Sequence, residues 1–127
     1  MRVIIFCLAA LAVLSAPVTA AYEYPERHYQ ERWCAWHGGE SEVVLEDRTR
    51  VDCMTKTHAI EFDYGRKWAE SIRQALHYGA MTGHTPGVVL IIENETDWRY
   101  FQRLIDVKKR WGLPLTIWNI TPDEVRP

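Results

Sequence analysis

The stretch RVDCMTKTHAIEFDYGRKWAESIRQALHYG, residues 50–79, decides the fold and carries the candidate chemistry. It contains two β-like runs, TRVDCMT and HAIEFD, joined by a link short enough for an antiparallel hairpin. A helical pattern follows from about residue 66 to residue 81, and Gly83 and Pro86 predict its end. The two strands carry acidic residues, and the helix carries a line of polar residues. Positions of this kind usually hold apolar residues if they only build a core.

The flanking segments extend this pattern in both directions. Tyr22 to His37 is predicted as a helix that places aromatic residues on one side, and SEVVLE is predicted as the first strand. GVVLIIE is typical of a strand buried on both faces, and LPLTIWNI of a last strand. Between them, Asn94 or Thr96 caps a helix whose inner side is Trp98, Phe101, Leu104 and Ile105. The order αβββαβαβ predicts an α/β fold with a mixed central sheet flanked by helices.

The first residues have the features of an export signal. Arg2 precedes the apolar run VIIFCLAALAVL and the small-residue segment SAPVTA. We expect a signal peptide over residues 1–20, cut after Ala20 or Ala21; a retained anchor is disfavoured because the apolar run is short. The exported chain would be periplasmic or secreted, with no stable membrane association. Residues 22–120 form one domain, and residues 121–127 are expected to be a flexible tail.

The charge balance excludes a broadly basic nucleic-acid binder. The chain has 15 Lys and Arg against 17 Asp and Glu, for a net charge of −2. Removal of the signal peptide also removes Arg2, so the exported chain carries 14 − 17 = −3. A polyanionic partner would therefore need a local basic patch or a metal ion.

Two of the three cysteines, Cys34 and Cys53, lie after the predicted cleavage site. An even pair in an oxidising compartment predicts a disulfide. Metal binding or nucleophilic catalysis is the weaker alternative, because no CxxC or Cys-His spacing is present.

Strand alternation predicts that the acids of the two strands face together. Asp52 should point away from Val51 and Cys53, and Glu61 and Asp63 should share a face, so Asp52 and Glu61 can meet if their strands pair. Close carboxylates repel each other, and a hard cation such as Mg²⁺ removes that cost. Scattered acids on a solvated face of the sheet are the alternative.

The following helix predicts a polar line beside an apolar one. Lys67, Ser71, Gln74 and Tyr78 fall within about 60° of one another on a helical wheel. The neighbouring apolar line is expected to pack on the sheet and consists of Trp68, Ile72, Ala75, Leu76 and Gly79. A solvated stripe of an amphipathic helix is the alternative interpretation of the polar line.

Together these residues resemble the PD-(D/E)XK nuclease superfamily, which has an αβββαβ core. Asp52 matches the acid of the second strand and Glu61 that of the third, while QALHY, Gln74 to Tyr78, resembles the QxxxY motif of the exonuclease and recombination branch. The resemblance covers residues 22–120 and implies a restriction-endonuclease-like core with an added helix and strand. It departs at Asp63, where the family usually has Lys; Lys67 is the expected substitute.

The resemblance implies hydrolysis of phosphodiester bonds with Mg²⁺ or Mn²⁺, with DNA favoured over RNA. Its implied catalytic residues are Asp52, Glu61, Lys67, Gln74 and Tyr78, and its implied metal ligands are Glu42, Asp52, Glu61 and Asp63. Glu40 is the runner-up to Glu42 as the upstream acid. The implied phosphate contacts are Arg50, Arg66 and Arg73. Because of Asp63, a catalytically inactive interaction module with the same fold is the main alternative, and an inhibitor or immunity-type protein binding through its Trp-rich first helix is a third.

Overall fold

The computed structural model describes residues 21–127, so the predicted signal peptide over residues 1–20 lies outside the described residues. The chain forms three α-helices and five β-strands within that range. The helices are α1 (Glu26–Trp36), α2 (Trp68–Thr82) and α3 (Trp98–Trp111). The strands are β1 (Glu40–Val44), β2 (Arg50–Met54), β3 (His58–Tyr64), β4 (Thr85–Ile91) and β5 (Thr116–Ile120).

The five strands form one mixed sheet in the order β1-β2-β3-β4-β5. β1, β2 and β3 pair antiparallel because short turns connect them, whereas β4 and β5 pair parallel because helices provide the crossovers. The predicted α/β class, the order of elements and the mixed sheet are confirmed.

The core lies on both faces of β4, as its continuous apolar sequence predicts. Val88 and Leu90 pack on one face with residues of α2 and α3. Val89 and Ile91 pack on the other face with residues of α1 and β3. Because helices cover both faces, the sheet holds the residues of β3 rigidly between two packed layers.

The pairing of β2 with β3 breaks at Asp52. Their ladder contains the pairs Cys53↔Ile60 and Met54↔Ala59. Beyond these, Asp52 Oδ2 accepts a hydrogen bond from the Phe62 amide at 2.8 Å, so a side chain replaces the partner strand's carbonyl. Cys53 packs on the α1 side of the sheet, whereas Val51 packs with Tyr78 on the α2 side. The prediction that Val51 and Cys53 share a face is therefore wrong, because the strand alternation is interrupted between them.

The predicted disulfide is confirmed. Cys34 on α1 and Cys53 on β2 are bonded, with their Cα atoms 5.7 Å apart. Gly39 leaves room for this bridge, since a Cβ atom there would lie 2.6 Å from Cys53 Sγ and 2.7 Å from Cys34 Sγ. The bridge ties α1 to β2 one residue after Asp52.

The last residues include a short turn, and the flexibility predicted for residues 121–127 stays a prediction. Residues 122–125 form a 3₁₀ turn in which Thr121 and Glu124 cap each other. Val125 is fully buried, and its carbonyl lies 2.9 Å from His28 Nε2. The polar composition of TPDEVRP does not indicate this buried residue or the capping pair.

Two tryptophans predicted to face the core lie at the surface. Trp36 is 57% exposed at the end of α1, and Trp98 is 38% exposed at the start of α3. Both stand at a helix terminus, where the helix leaves the sheet. Over residues 21–127, no helix is long and apolar enough to cross a membrane.

Candidate functional site

An acidic cleft opens where β2 separates from β3. It has a volume of about 470 Å³ and is bounded by the start of α1 and one side of α2. Five of its lining residues are acids and two are cations. The lining consists of Glu26, Thr49, Arg50, Asp52, Glu61, Asp63, Lys67, Glu70, Gln74 and Tyr78. All five residues of the predicted catalytic set line this one cleft.

The centre of the acidic cleft is the pair Asp52 and Glu61. Their carboxyl groups contact each other, as the strand phases predict. Glu61 is only 5% exposed, and its Oε2 atom is buried without a hydrogen-bond partner among the described residues. A buried carboxyl oxygen without a donor is costly, so this position is suited to an added cation or proton.

The same geometry shifts the proton affinity of the pair. Burial, followed by the charge of Asp52, raises the pKa of Glu61 to about 10. Burial also raises the pKa of Asp52, although the hydrogen bond from the Phe62 amide opposes this effect. The pair therefore holds a proton at neutral pH when no other cation is bound.

Asp63 and Lys67 form the second part of the acidic cleft. Asp63 is 3% exposed and accepts a hydrogen bond from the Tyr64 amide at 3.1 Å. A 3₁₀ turn over Gly65–Lys67 precedes α2 and brings Lys67 Nζ to 3.8 Å from Asp63 Oδ1. Burial raises the pKa of Asp63 to about 6 despite the opposing charge of Lys67. Lys67 therefore lines the same cleft as Asp52, Glu61 and Asp63.

Glu26 is an acid of the cleft that the sequence analysis missed. It lies in the first turn of α1 and contributes to the wall opposite α2. Burial, then the charges of Asp52 and Asp63, raises its pKa to about 7. An acid in a first helical turn is common, so the sequence carried no signal that singled out Glu26.

Two members of the predicted polar line, Ser71 and Tyr78, face the protein, whereas Lys67 is exposed. Ser71 is fully buried and donates a hydrogen bond to the Trp68 carbonyl at 2.6 Å. Tyr78 is also buried, and its hydroxyl lies 3.5 Å from Gln74 Oε1. Burial and the nearby carboxyl groups of Glu61 and Asp52 raise the pKa of Tyr78. The solvated-stripe interpretation is therefore wrong for Ser71 and Tyr78.

Glu42 lies beside the acidic cleft and has other partners. Its Oε1 accepts from Gln30 Nε2 at 3.0 Å, and its Oε2 lies 3.2 Å from Arg50 Nη1. Its backbone has a φ of 60°, which turns the side chain toward α1. Gln30 also donates to the Asp52 carbonyl at 2.8 Å, so this residue of α1 links β1 to β2. Glu26 lines the cleft, whereas Glu42 and the exposed Glu40 do not. The role of Glu42 or Glu40 as a metal ligand stays a prediction.

The three predicted phosphate contacts are dispersed. Arg50 lines the acidic cleft, whereas Arg66 lines a separate surface depression with Glu23 and Glu93. Arg73 projects into solvent, with its guanidinium 3.9 Å from Glu70. Only Arg50 among them is placed to meet an anion inside the cleft.

The donor set of the cleft matches the preference of Mg²⁺ or Mn²⁺ for oxygen ligands. Asp52, Glu61 and Asp63 offer carboxyl oxygens, and the unpartnered Oε2 of Glu61 is the observation that favours a cation there. Within residues 21–127, no group of three or more His, Cys, Asp or Glu side chains is already drawn together as a metal cage. The carboxyl oxygens of the cleft suit a divalent cation by their chemistry, and the Mg²⁺ or Mn²⁺ site stays a prediction.

Comparisons with protein families, with curated proteins and with solved structures gave no match to this chain.

Proposed function

We propose that the chain is an exported, metal-dependent nuclease with a restriction-endonuclease-like core of the PD-(D/E)XK type. The observation that carries the proposal is the contact between the carboxyl groups of Asp52 and Glu61, with Glu61 Oε2 buried and without a donor. Such a pair is costly unless a proton or a metal ion neutralises it. A purely structural role would be served better by an apolar pair in the same place.

Two features of the fold support this assignment. The order α1-β1-β2-β3-α2-β4 agrees with the core that the sequence resemblance implies, and β2 and β3 carry the two acids. The Cys34–Cys53 bridge fits an oxidising compartment, as export would provide.

In this proposal each residue of the cleft has a distinct role. Asp52, Glu61 and Asp63 would hold the divalent ion, which when bound supplies charge neutralisation of a phosphodiester oxygen and a more acidic water. Lys67 would hold the attacking water or stabilise the developing negative charge. Arg50 would contact the substrate phosphate, and Tyr78 would orient the carboxyl group of Glu61.

A catalytically inactive binding module is the second candidate, and the Asp63–Lys67 pair is what favours it. Lys67 Nζ lies 3.8 Å from Asp63 Oδ1, so the lysine that should serve the reaction can instead remain paired with the acid. In that case the acidic cleft would bind a cation or a cationic partner without hydrolysis.

Cleavage assays distinguish these two functions. Plasmid and single-stranded DNA, and an RNA of similar length, are incubated with the mature chain in Mg²⁺ or Mn²⁺, with EDTA as the metal-free control. We expect metal-dependent cleavage that Glu61→Gln abolishes. Glu40→Gln is the matched control, because this acid lies at the exposed end of β1 and should leave the rate unchanged. Absence of cleavage on every substrate would favour the inactive module, and equal cleavage by Glu61→Gln would contradict the proposed site.

A further inference from the structure

A second cleft lies on the α1 side of the sheet, separate from the acidic cleft. It has a volume of about 560 Å³, which is in the range of small-molecule sites. We call it the aromatic cleft, since two indole rings and two imidazole rings line it. The lining consists of Trp33, His37, Gly38, Thr55, Lys56, Thr57, His58, Ile60 and Trp118. It shares no residue with the acidic cleft.

The walls of the aromatic cleft are flat rings in fixed positions. Trp33 is almost completely buried and stacks on His37 with ring centres 3.5 Å apart. Trp118 meets Trp33 edge-on at 5.2 Å. Gly87 allows this arrangement, because a Cβ atom there would lie 2.8 Å from Trp118 Cζ3. The rings are therefore held before any ligand arrives, which favours the binding of a planar group.

The polar groups of the aromatic cleft favour an anion. Lys56 is exposed at the turn between β2 and β3, and no carboxylate is among the lining residues. His37 donates through Nδ1 to the Trp33 carbonyl at 2.7 Å, which fixes the orientation of its ring at the edge of the cleft. His58 lies between the hydroxyl groups of Thr57, at 2.7 Å, and Thr116, at 2.9 Å.

We propose that the aromatic cleft binds a planar aromatic ring that carries an anionic group, with the ring against Trp118 and His37 and the anion at Lys56. The volume matches a ligand of mononucleotide size. A sugar fits less well, because its hydroxyl groups are usually held by carboxylate and amide side chains, and the lining contains neither. The inference does not depend on nuclease activity, since the two clefts have different lining residues.

The first test compares three probes by isothermal titration calorimetry with the mature, disulfide-bonded chain in EDTA. AMP supplies both ring and anion, adenosine supplies the ring alone, and inorganic phosphate supplies the anion alone. We expect AMP to bind at least ten times more tightly than adenosine, and phosphate not to bind at millimolar concentration. Absence of AMP binding, or equal binding of AMP and phosphate, would overturn the proposal.

Variants then locate the ligand. Lys56→Met, at an exposed position that does not affect folding, should reduce the affinity for AMP about tenfold and leave that for adenosine unchanged. Trp118→Ala should weaken both ligands at least tenfold, whereas Trp111→Ala removes a surface indole on α3 and serves as the matched control. Glu61→Gln should leave AMP binding unchanged. Loss of AMP binding in Glu61→Gln with full binding in Lys56→Met would place the ligand in the acidic cleft and refute the inference.

Discussion

Replacing Glu61 by Gln should change how the stability of the metal-free protein depends on pH. The pKa of Glu61 rises from 4.5 to about 10 in the folded chain, chiefly through burial and the charge of Asp52. Between these values the folded state keeps the proton and the unfolded state has lost it. Folding then takes up one proton, so this contribution to stability is present below the unfolded pKa and is lost as pH rises toward the folded pKa.

The size of the effect follows from one proton per molecule. One pH unit corresponds to about 1.4 kcal/mol in the free energy of unfolding. The raised pKa values of Glu26, about 7, and Asp63, about 6, lie below a window from about pH 7.5 to about pH 9, so Glu61 dominates there. We expect the wild-type protein to lose about 2 kcal/mol across that window.

Urea unfolding followed by tryptophan fluorescence in EDTA measures this slope. Glu61→Gln keeps the shape of the side chain without a titrating group, so its stability should be nearly constant across the same window. Glu70→Gln, an exposed acid in the same cleft, should retain the wild-type slope. Mg²⁺ should flatten the wild-type slope, because a cation would replace the proton. If wild type and Glu61→Gln lose stability equally, the buried carboxyl pair does not hold a proton and the reasoning fails.

Three further outcomes are expected. Lys67→Ala should reduce metal-dependent cleavage at least 100-fold without changing circular dichroism, while Lys109→Ala, on the exposed side of α3, should cleave as wild type does. Replacing Cys34 and Cys53 together by Ser should lower the free energy of unfolding by about 3 kcal/mol in urea titrations under non-reducing conditions; an unchanged midpoint would contradict a stabilising bridge. Gly39→Ala should increase free thiols in the purified protein, measured by thiol titration, because its Cβ would overlap both sulfur atoms.

The order of elements could be predicted because each has a clear local signal. Short links between strands predicted the hairpins, and a continuous apolar run predicted that β4 is buried on both faces. The meeting of Asp52 and Glu61 could be predicted from the pairing of β2 with β3, since the two residues follow directly on the paired section. The hairpin links, the buried strand and the strand pairing all depend on local sequence patterns, so the sequence alone is enough to predict them.

The features that the sequence analysis predicted wrongly or missed are contacts between segments that lie far apart in the sequence. Strand alternation is interrupted between Val51 and Cys53, where the carboxylate of Asp52 accepts from the Phe62 amide, and no local pattern indicates that a side chain will replace a ladder bond. Glu26 reaches the acidic cleft only because α1 crosses the open end of the β2–β3 pair. Val125 is buried because its side chain packs in the core cluster on the α1 side of the sheet. Each depends on how the elements pack, which periodicity does not encode.

The seam between β2 and β3 is fastened unevenly. At one end β2 pairs with β3 through the backbone, and the disulfide ties β2 to α1 there. At the other end the Asp52 carboxylate accepts from the Phe62 amide of β3, and Gln30 of α1 donates to the Asp52 carbonyl. The end of β2 near Cys53 is therefore fixed by backbone pairing and a disulfide, whereas the end near Asp52 is joined to β3 by the hydrogen bond of an ionisable group. Protonation of Asp52, or binding of a cation to its carboxylate, weakens the hydrogen bond that this carboxylate accepts from the Phe62 amide. The hydrogen bond that joins β2 to β3 at this end therefore depends on the charge state of a residue that lines the acidic cleft.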